Sequence, residues 1–338
     1  MKNFRFAIVC VVASFLVAPV ARATDMLNGL DMLRKILILN RDASRGARPD
    51  TQGSGGGVTT KTEHFETHLS TEGARSAEFV LKINYGDLRV EPAGGDTLIY
   101  VTADYNRDEF SEPTVSHRRD NGRVEILLES GKTKGKNPDD MDSSAVSADN
   151  IWHIRVGKQV AWSLQFELAF CTTSLELGGM KVAGLNIESG FSGTELCFSE
   201  PNGTVLENCD IQGGFTSLRA MKLGNAAIRH LTVENGLGSS LLDFTGKWVK
   251  GDLKAVIESG LGAVKMHLPD GLPVTMEVES ALGSTDLPGF REIRDGCYRS
   301  MAYVEGVPSL DAQVSVGLGS MAVTWVEQED SLRRQQVN

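Results

Sequence analysis

The sequence predicts an all-β protein, a stacked-rung β-solenoid preceded by a short helix and a linker. Three observations carry that prediction. Apolar and polar residues alternate through most of the chain after Phe65, glycine-centred turns separate the alternating runs, and one phrase recurs about every 23 residues. The 338 residues are 41% hydrophobic and 23% charged, which argues against both wholesale disorder and a multispanning membrane protein.

Taken in order, residues 1–23 read as a secretory signal. Lys2 and Arg5 precede the apolar run Phe6 to Val20, and Ala21-Arg22-Ala23 offers a small-residue cleavage site before Thr24. The run is about 15 residues, short of the roughly 20 that span a bilayer comfortably. Residues 24–62 then hold an expected amphipathic helix, Met26 to Leu39, with leucines at helical spacing. A linker from Asp42 to Thr60 follows, rich in Arg, Pro and Ser and containing Gly55-Gly56-Gly57. The helix could pack on the domain, bind a partner or lie against a membrane.

The β-solenoid-like domain is expected over residues 63–327. Its first strands are Ala77 to Ile83, Leu88 to Glu91, Leu98 to Ala103 and Val124 to Glu129, with turns at Tyr85-Gly86-Asp87, Ala93 to Asp96 and Asn121-Gly122. A polar insertion near 131–150 interrupts the pattern. Strands resume at Ile151 to Val156 and Trp162 to Phe170, and a polar tail, 328–338, ends the chain.

After Ser174 the phrase repeats as Leu185 to Gly193, Gly213 to Ser217, Leu231 to Ser239, Val256 to Ala263, Met276 to Ser284 and Val314 to Ser320. Anchors at 190, 213, 236, 260, 281 and 317 give steps of 23, 23, 24, 21 and 36, and an insertion between Pro288 and Ser309 explains the last. A rung this short buries too little surface to stand alone, so stacking must supply apolar neighbours and pair the open edges. Ile187, Val233, Ile257, Val278 and Val316 are expected to form one ladder through the core. Phe191, Phe215, Leu237, Leu261, Leu282 and Leu318 are expected to cap its edge. Glu188, Glu234, Glu258 and Glu279 follow apolar positions and should face outward as a solvated acidic stripe.

Removing residues 1–23 subtracts three basic and no acidic residues, leaving 31 Lys plus Arg against 44 Asp plus Glu, a formal charge of 31 − 44 = −13. That field argues against a nucleic-acid partner and against electrostatic attachment to an anionic membrane. Four cysteines remain, Cys171, Cys197, Cys209 and Cys297. Cys197 with Cys209 is the preferred disulfide if they meet on neighbouring strands, with buried free thiols as the alternative.

No nucleophile phrase, phosphate loop or zinc-protease motif emerges. His64 and His68 flank Glu66 in an extended stretch, a spacing that does not make a metal pair by itself, so neither metal nor cofactor is expected. The best acid–base neighbourhood for a polysaccharide-active enzyme would join Asp243, Glu258, His267 and Asp270 across neighbouring rungs. Outward charges on a solvated solenoid explain those residues without catalysis.

Lys82-Ile83-Asn84-Tyr85-Gly86-Asp87-Leu88-Arg89-Val90, Leu175 to Leu185, and the phrase Ser259-Gly260-Leu261-Gly262-Ala263 resemble the bacterial envelope β-solenoid families described as toast-rack, adhesin-like or cell-wall-active antibiotic response domains. The resemblance spans residues 75–327. It implies a stacked-sheet domain, an envelope location and no assigned catalytic role.

The expectation is therefore a noncatalytic, exported structural, adhesion-like or interaction protein of the bacterial periplasm or cell envelope. A periplasmic stress or small-ligand sensor is the alternative, and a polysaccharide-active enzyme follows behind it. The partner would be an envelope protein or surface component. Peripheral membrane association and homo-oligomerisation stay open. Trp248 and Trp325 are the candidate contact residues, with burial as the competing explanation.

Overall fold

The computed structural model describes residues 61–132, 150–248 and 251–327. These residues belong to one unit, Thr59–Lys134 with Val146–Asn338. The expected signal, the segment Met26–Leu39, the linker through Thr60, most of the polar insertion and the tail 328–338 lie outside the described residues.

The described strands are β1 (Thr62–Ser70), β2 (Ser76–Ala93), β3 (Thr97–Asn106), β4 (Thr114–Asp120), β5 (Arg123–Glu129), β6 (Asn150–Gly157), β7 (Ala161–Glu176) and β8 (Lys181–Cys197). They continue as β9 (Leu206–Met221), β10 (Ile228–Asp243), β11 (Leu253–Pro269), β12 (Val274–Asp286), β13 (Phe290–Arg294), β14 (Cys297–Ser300) and β15 (Leu310–Val326). All fifteen join one sheet. Its body is parallel, in the order β2-β7-β8-β9-β10-β11-β15-β12.

Each rung is one long strand rather than two short runs separated by a turn. The predicted turn Tyr85-Gly86-Asp87 lies inside β2, and the later glycine phrases lie inside β8 to β12 and β15. The chain changes direction at these glycines without leaving the ladder, because residues on both sides stay paired with the neighbouring rungs. Burial records the corner. In β11 the buried positions are Leu253, Ala255, Ile257 and Ser259, then Val264, Met266 and Leu268 with the terminal Pro269, so the alternation switches its inward side from odd to even numbers.

Stacking in register makes the core. One inward column runs Leu81, Phe166, Ile187, Ile211, Val233, Ile257, Val314, Val278, and all eight are buried. The predicted ladder holds, with one correction: Val314, not Val316, stands opposite Ile257 and Val278, while Val316 faces Ser259 and Ser280. Likewise Gly214, not Gly213, lies level with Gly190 and Gly236, since Phe191, Phe215 and Leu237 share a row.

The first rung, β2, branches. Its early half pairs with β5, which carries β4 through the Asn121-Gly122 turn, where both residues adopt positive φ. Its later half pairs with β6, which extends through β3 to β1. Trp152 and Trp162 are wholly buried near this junction, and each satisfies its indole N–H, to Asn150 Oδ1 at 2.9 Å and to the Gly157 carbonyl at 2.7 Å.

The other end departs from the predicted order. The long final step is an excursion, but it does more than delay the next rung: β13 and β14 fold along the outer edge of β12, and β15 then inserts between β11 and β12. Alternation fixes a strand's phase against its neighbours, not which strand sits beside which.

Candidate functional site

The corner of each rung makes the most distinctive surface of the described domain. Gly238, Gly262 and Gly319 have φ of 136°, 150° and 148°, and a Cβ on any of them would overlap the carbonyl of the preceding rung. Rungs therefore approach closely there, and the residue just before this glycine is turned outward. Read along the stack, that position is occupied by Tyr85, Phe170, Phe191, Phe215, Leu237, Leu261, Leu318 and Leu282.

These residues were expected to cap the core edge. They instead form an outward apolar ridge, because the inward side changes at the corner. Tyr85 and Phe170 stack with centroids 5.1 Å apart at 7°, Phe170 and Phe191 at 5.1 Å and 2°, and Phe191 and Phe215 at 4.6 Å and 6°. That interval is close to the spacing of hydrogen-bonded strands. The ring faces cover one another. Beyond Phe215 the leucines are exposed, Leu237 by 39%, Leu261 by 48% and Leu318 by 43%, and the last, Leu282, is the barest at 69%. Burial raises the pKa of Tyr85 above its ordinary value.

An acidic column runs beside the ridge, three residues earlier in each rung: Lys82, Glu167, Glu188, Gln212, Glu234, Glu258, Ser315 and Glu279. Glu188, Glu234, Glu258 and Glu279 are exposed, as predicted. Lys82 Nζ lies 2.9 Å from Glu167, and that hydrogen bond raises the lysine pKa. Desolvation, then the neighbouring Glu234 charge, raises the pKa of Glu258.

The predicted contact tryptophans are half-buried. Trp248 donates its indole N–H to the Phe244 carbonyl at 2.8 Å. Trp325 donates to the Pro288 carbonyl at 2.6 Å and packs on Phe290, with centroids 5.5 Å apart. Both serve the core margin, apart from the ridge.

Cys197 and Cys209 sit on adjacent strands but do not meet. Cys209 is level with Leu185, twelve positions before Cys197 on β8 (197 − 185), and Cys197 faces Met221. The expected disulfide is therefore replaced by two thiols, and Cys171 and Cys297 are also free. Burial pushes the Cys171 thiol up to about 12, desolvation raises Cys197 to about 11, and complete burial raises Cys209 further still. None of these three is set up as a nucleophile.

The acid–base neighbourhood does not converge. Asp243 is buried and level with His267, but its carboxylate accepts from the Thr245 backbone N–H and hydroxyl, both at 2.9 Å. It thus fixes the chain leaving β10. Glu258 lies nine positions before His267 on β11, on the far side of the corner (267 − 258). His64 Nδ1 meets Asp104 Oδ1 at 2.7 Å, Glu66 accepts from Tyr100 Oη at 2.7 Å, and His68 lies tilted against the Tyr100 ring. Among the described residues no group of three or more His, Cys, Asp or Glu is placed to hold a metal ion.

Residues 58–219 match the family described as the N-terminal domain of toast_rack, DUF2154. Among solved structures, one described as a "putative cell adhesion protein" from Clostridium sporogenes is 16% identical with a TM-score of 0.44, covering 79% of this chain and 100% of that one. A "putative adhesin" from Parabacteroides merdae is 6% identical with a TM-score of 0.33, covering 79% and 97%. Another from Parabacteroides distasonis is 8% identical with a TM-score of 0.36, covering 79% and 98%. No curated protein matches. The in-register rungs continue past residue 219 through β10, β11, β15 and β12, so the stack extends beyond the matched segment. Over residues 58–219 the match is thus to the toast-rack N-terminal domain, the first of the families that the glycine phrases resemble.

Proposed function

We propose that this chain is a noncatalytic, exported cell-envelope domain whose stacked rungs present an apolar ridge to an envelope protein or surface component. The observation that carries the reading is the row from Tyr85 to Leu282, aromatic or leucine at all eight rungs although none of the eight is buried and the four leucines are exposed. A monomeric surface seldom keeps so long a contiguous apolar row without a binding role. The acidic column beside it disfavours an anionic lipid surface and favours a neutral or basic partner. The signal-like residues 1–23 support export, and the adhesion-like role extends the toast-rack match.

The test is retention on bacterial envelope fragments. Wild type is compared with a triple variant, Leu237→Ser, Leu261→Ser and Leu318→Ser, whose circular dichroism should be unchanged because the leucines are outward. Each leucine removed from a contact costs about 1 kcal/mol, so retention should fall more than tenfold. Equal retention by the two proteins refutes the ridge as the contact.

A further inference from the structure

Two open edges of the sheet differ in chemistry: β1, which ends the strand order on one side, and the second half of β12, which β14 and the terminal β13 leave uncovered on the other. β1 is guarded by charge: Glu63 accepts from Tyr105 and pairs with Arg107, His64 pairs with Asp104, and Glu66 accepts from Tyr100. Such residues deter edge-to-edge pairing. β12 is different. β14 covers it only at Thr275–Glu277, with Gly296 accepting from the Val278 N–H. Among the described residues, no strand pairs with Glu279–Asp286 on the side away from β15, and all eight residues are exposed. Between the terminal Glu279 and Asp286 the edge reads Ser-Ala-Leu-Gly-Ser-Thr, with neither charge nor proline.

Of the ten large hydrophobic side chains exposed among the described residues, Leu282, Ile293, Met301, Val304 and Val307 belong to the segment from β12 to the approach to β15. Leu282 and Met301 are the barest, at 69% and 78%.

We propose that the open half of β12, Glu279 to Ser284, is a self-association edge that pairs antiparallel with the same segment of a second copy. The corner sets the register. Residues opposed across an antiparallel pair share a face. β12 follows the phase of β11, so Val278 and Ser280 lie on the inward side before the corner, and Gly283 and Thr285 after it. Only a twofold axis between Ala281 and Leu282 opposes like with like: Glu279 meets Ser284, Ser280 meets Gly283, and Ala281 meets Leu282. Centring on Leu282 itself would set inward Ser280 against outward Ser284.

In the favoured register no two charges of one sign stand opposite each other. The two Leu282 side chains adjoin, and the ridge continues from one copy into the next. A head-to-tail contact from β12 to the charged β1 edge would instead propagate into chains.

Sedimentation velocity on the purified chain, up to about 500 μM because so short an edge belongs to the weak class of interfaces, tests this directly. A monomer–dimer equilibrium is expected. Ser284→Glu places a carboxylate opposite Glu279 twice per dimer and should weaken dimerisation roughly tenfold. Adding Glu279→Lys to that variant restores opposite charge and should bring the dimer back to at least wild-type affinity. Both positions are exposed, so circular dichroism should stay unchanged and a lost dimer cannot be mistaken for lost folding. A monomer throughout the range overturns the proposal, as do species larger than a dimer. A dimer indifferent to both charge changes also overturns it, placing the contact elsewhere.

Discussion

Replacing Gly262 with alanine probes the close approach of rungs at the corner of β10 and β11. Its φ of 150° is strained for any residue with a Cβ, and an added Cβ would lie 1.6 Å from the Gly238 carbonyl oxygen. An ordinary contact begins at 3.4 Å, so β10 and β11 would have to part locally by about 1.8 Å, more than a third of the usual strand spacing. Two backbone hydrogen bonds stretched beyond use cost about 1 kcal/mol each, and the left-handed conformation adds about 1–2 kcal/mol. Together these give about 3–4 kcal/mol. Gly271→Ala is the control: φ is 81°, yet nothing lies within 4 Å of the added Cβ, so only the conformational part, about 1–2 kcal/mol, applies. Guanidinium unfolding followed by far-UV circular dichroism should separate the two by about 2 kcal/mol. Equal losses would refute the claim that close approach of rungs, rather than turn conformation, requires glycine at the corner.

Ile257→Asp should unfold the stack at neutral pH, since Ile257 is fully buried between Val233 and Val314, whereas Glu258→Gln should leave the denaturation midpoint unchanged or slightly raised; equal, small losses would refute the facing of β11. Glu258 also carries a pH dependence. Its folded pKa is raised above the usual 4.5, so its contribution is fully present below that value and is lost as pH rises through the raised one. The stability of wild type relative to Glu258→Gln should therefore fall as pH rises above the usual 4.5, and a rise would contradict the assignment. Peptide mapping without reduction should recover Cys197 and Cys209 as separate thiol peptides, with Cys197 alkylated before the wholly buried Cys209. A crosslinked Cys197–Cys209 peptide would contradict the register of β8 and β9.

Much of the stack was legible because parallel rungs repeat one alternation in one phase. Ile187, Val233, Ile257 and Val278 could be aligned from their glycine phrases alone, and the structure places them in one column. Val314 was missed although it stands three residues before Gly317, as Ile257 stands three before Gly260. Both valines of Val314-Ser315-Val316 fit an alternating strand, and only the offset distinguishes them. β1 and β4 carry no comparable signal, because Thr62–Ser70 and Thr114–Asp120 are half-exposed and polar. The order β11-β15-β12 was illegible for another reason: equivalent phrases fit equivalent slots, and sequence separation is a poor guide once an excursion intervenes. The ridge residues were found but misplaced. Whether alternation keeps or switches its inward side across a glycine depends on backbone angles that residue type alone does not state.

That switch separates what the fold demands from what it does not. The corner demands a glycine in β10, β11 and β15, where an added Cβ would overlap a carbonyl, while β7, β8 and β9 place Cys171, Ser192 and Thr216 in that slot; the core demands apolar residues at the Ile257 row. Neither demands anything of the outward position between them. The neighbouring outward row shows what folding alone tolerates there, with Glu167, Glu188, Gln212, Glu234, Glu258, Ser315 and Glu279 in register. Stacking of Tyr85, Phe170, Phe191 and Phe215 stabilises the first rungs, since aromatic pairs contribute about 0.5–1.5 kcal/mol each. That reason fades along the leucines, and it is weakest at Leu282, 69% exposed on the last parallel rung with a neighbour on one side only. An apolar side chain kept where folding gains least from it is best accounted for by contact with something outside the domain.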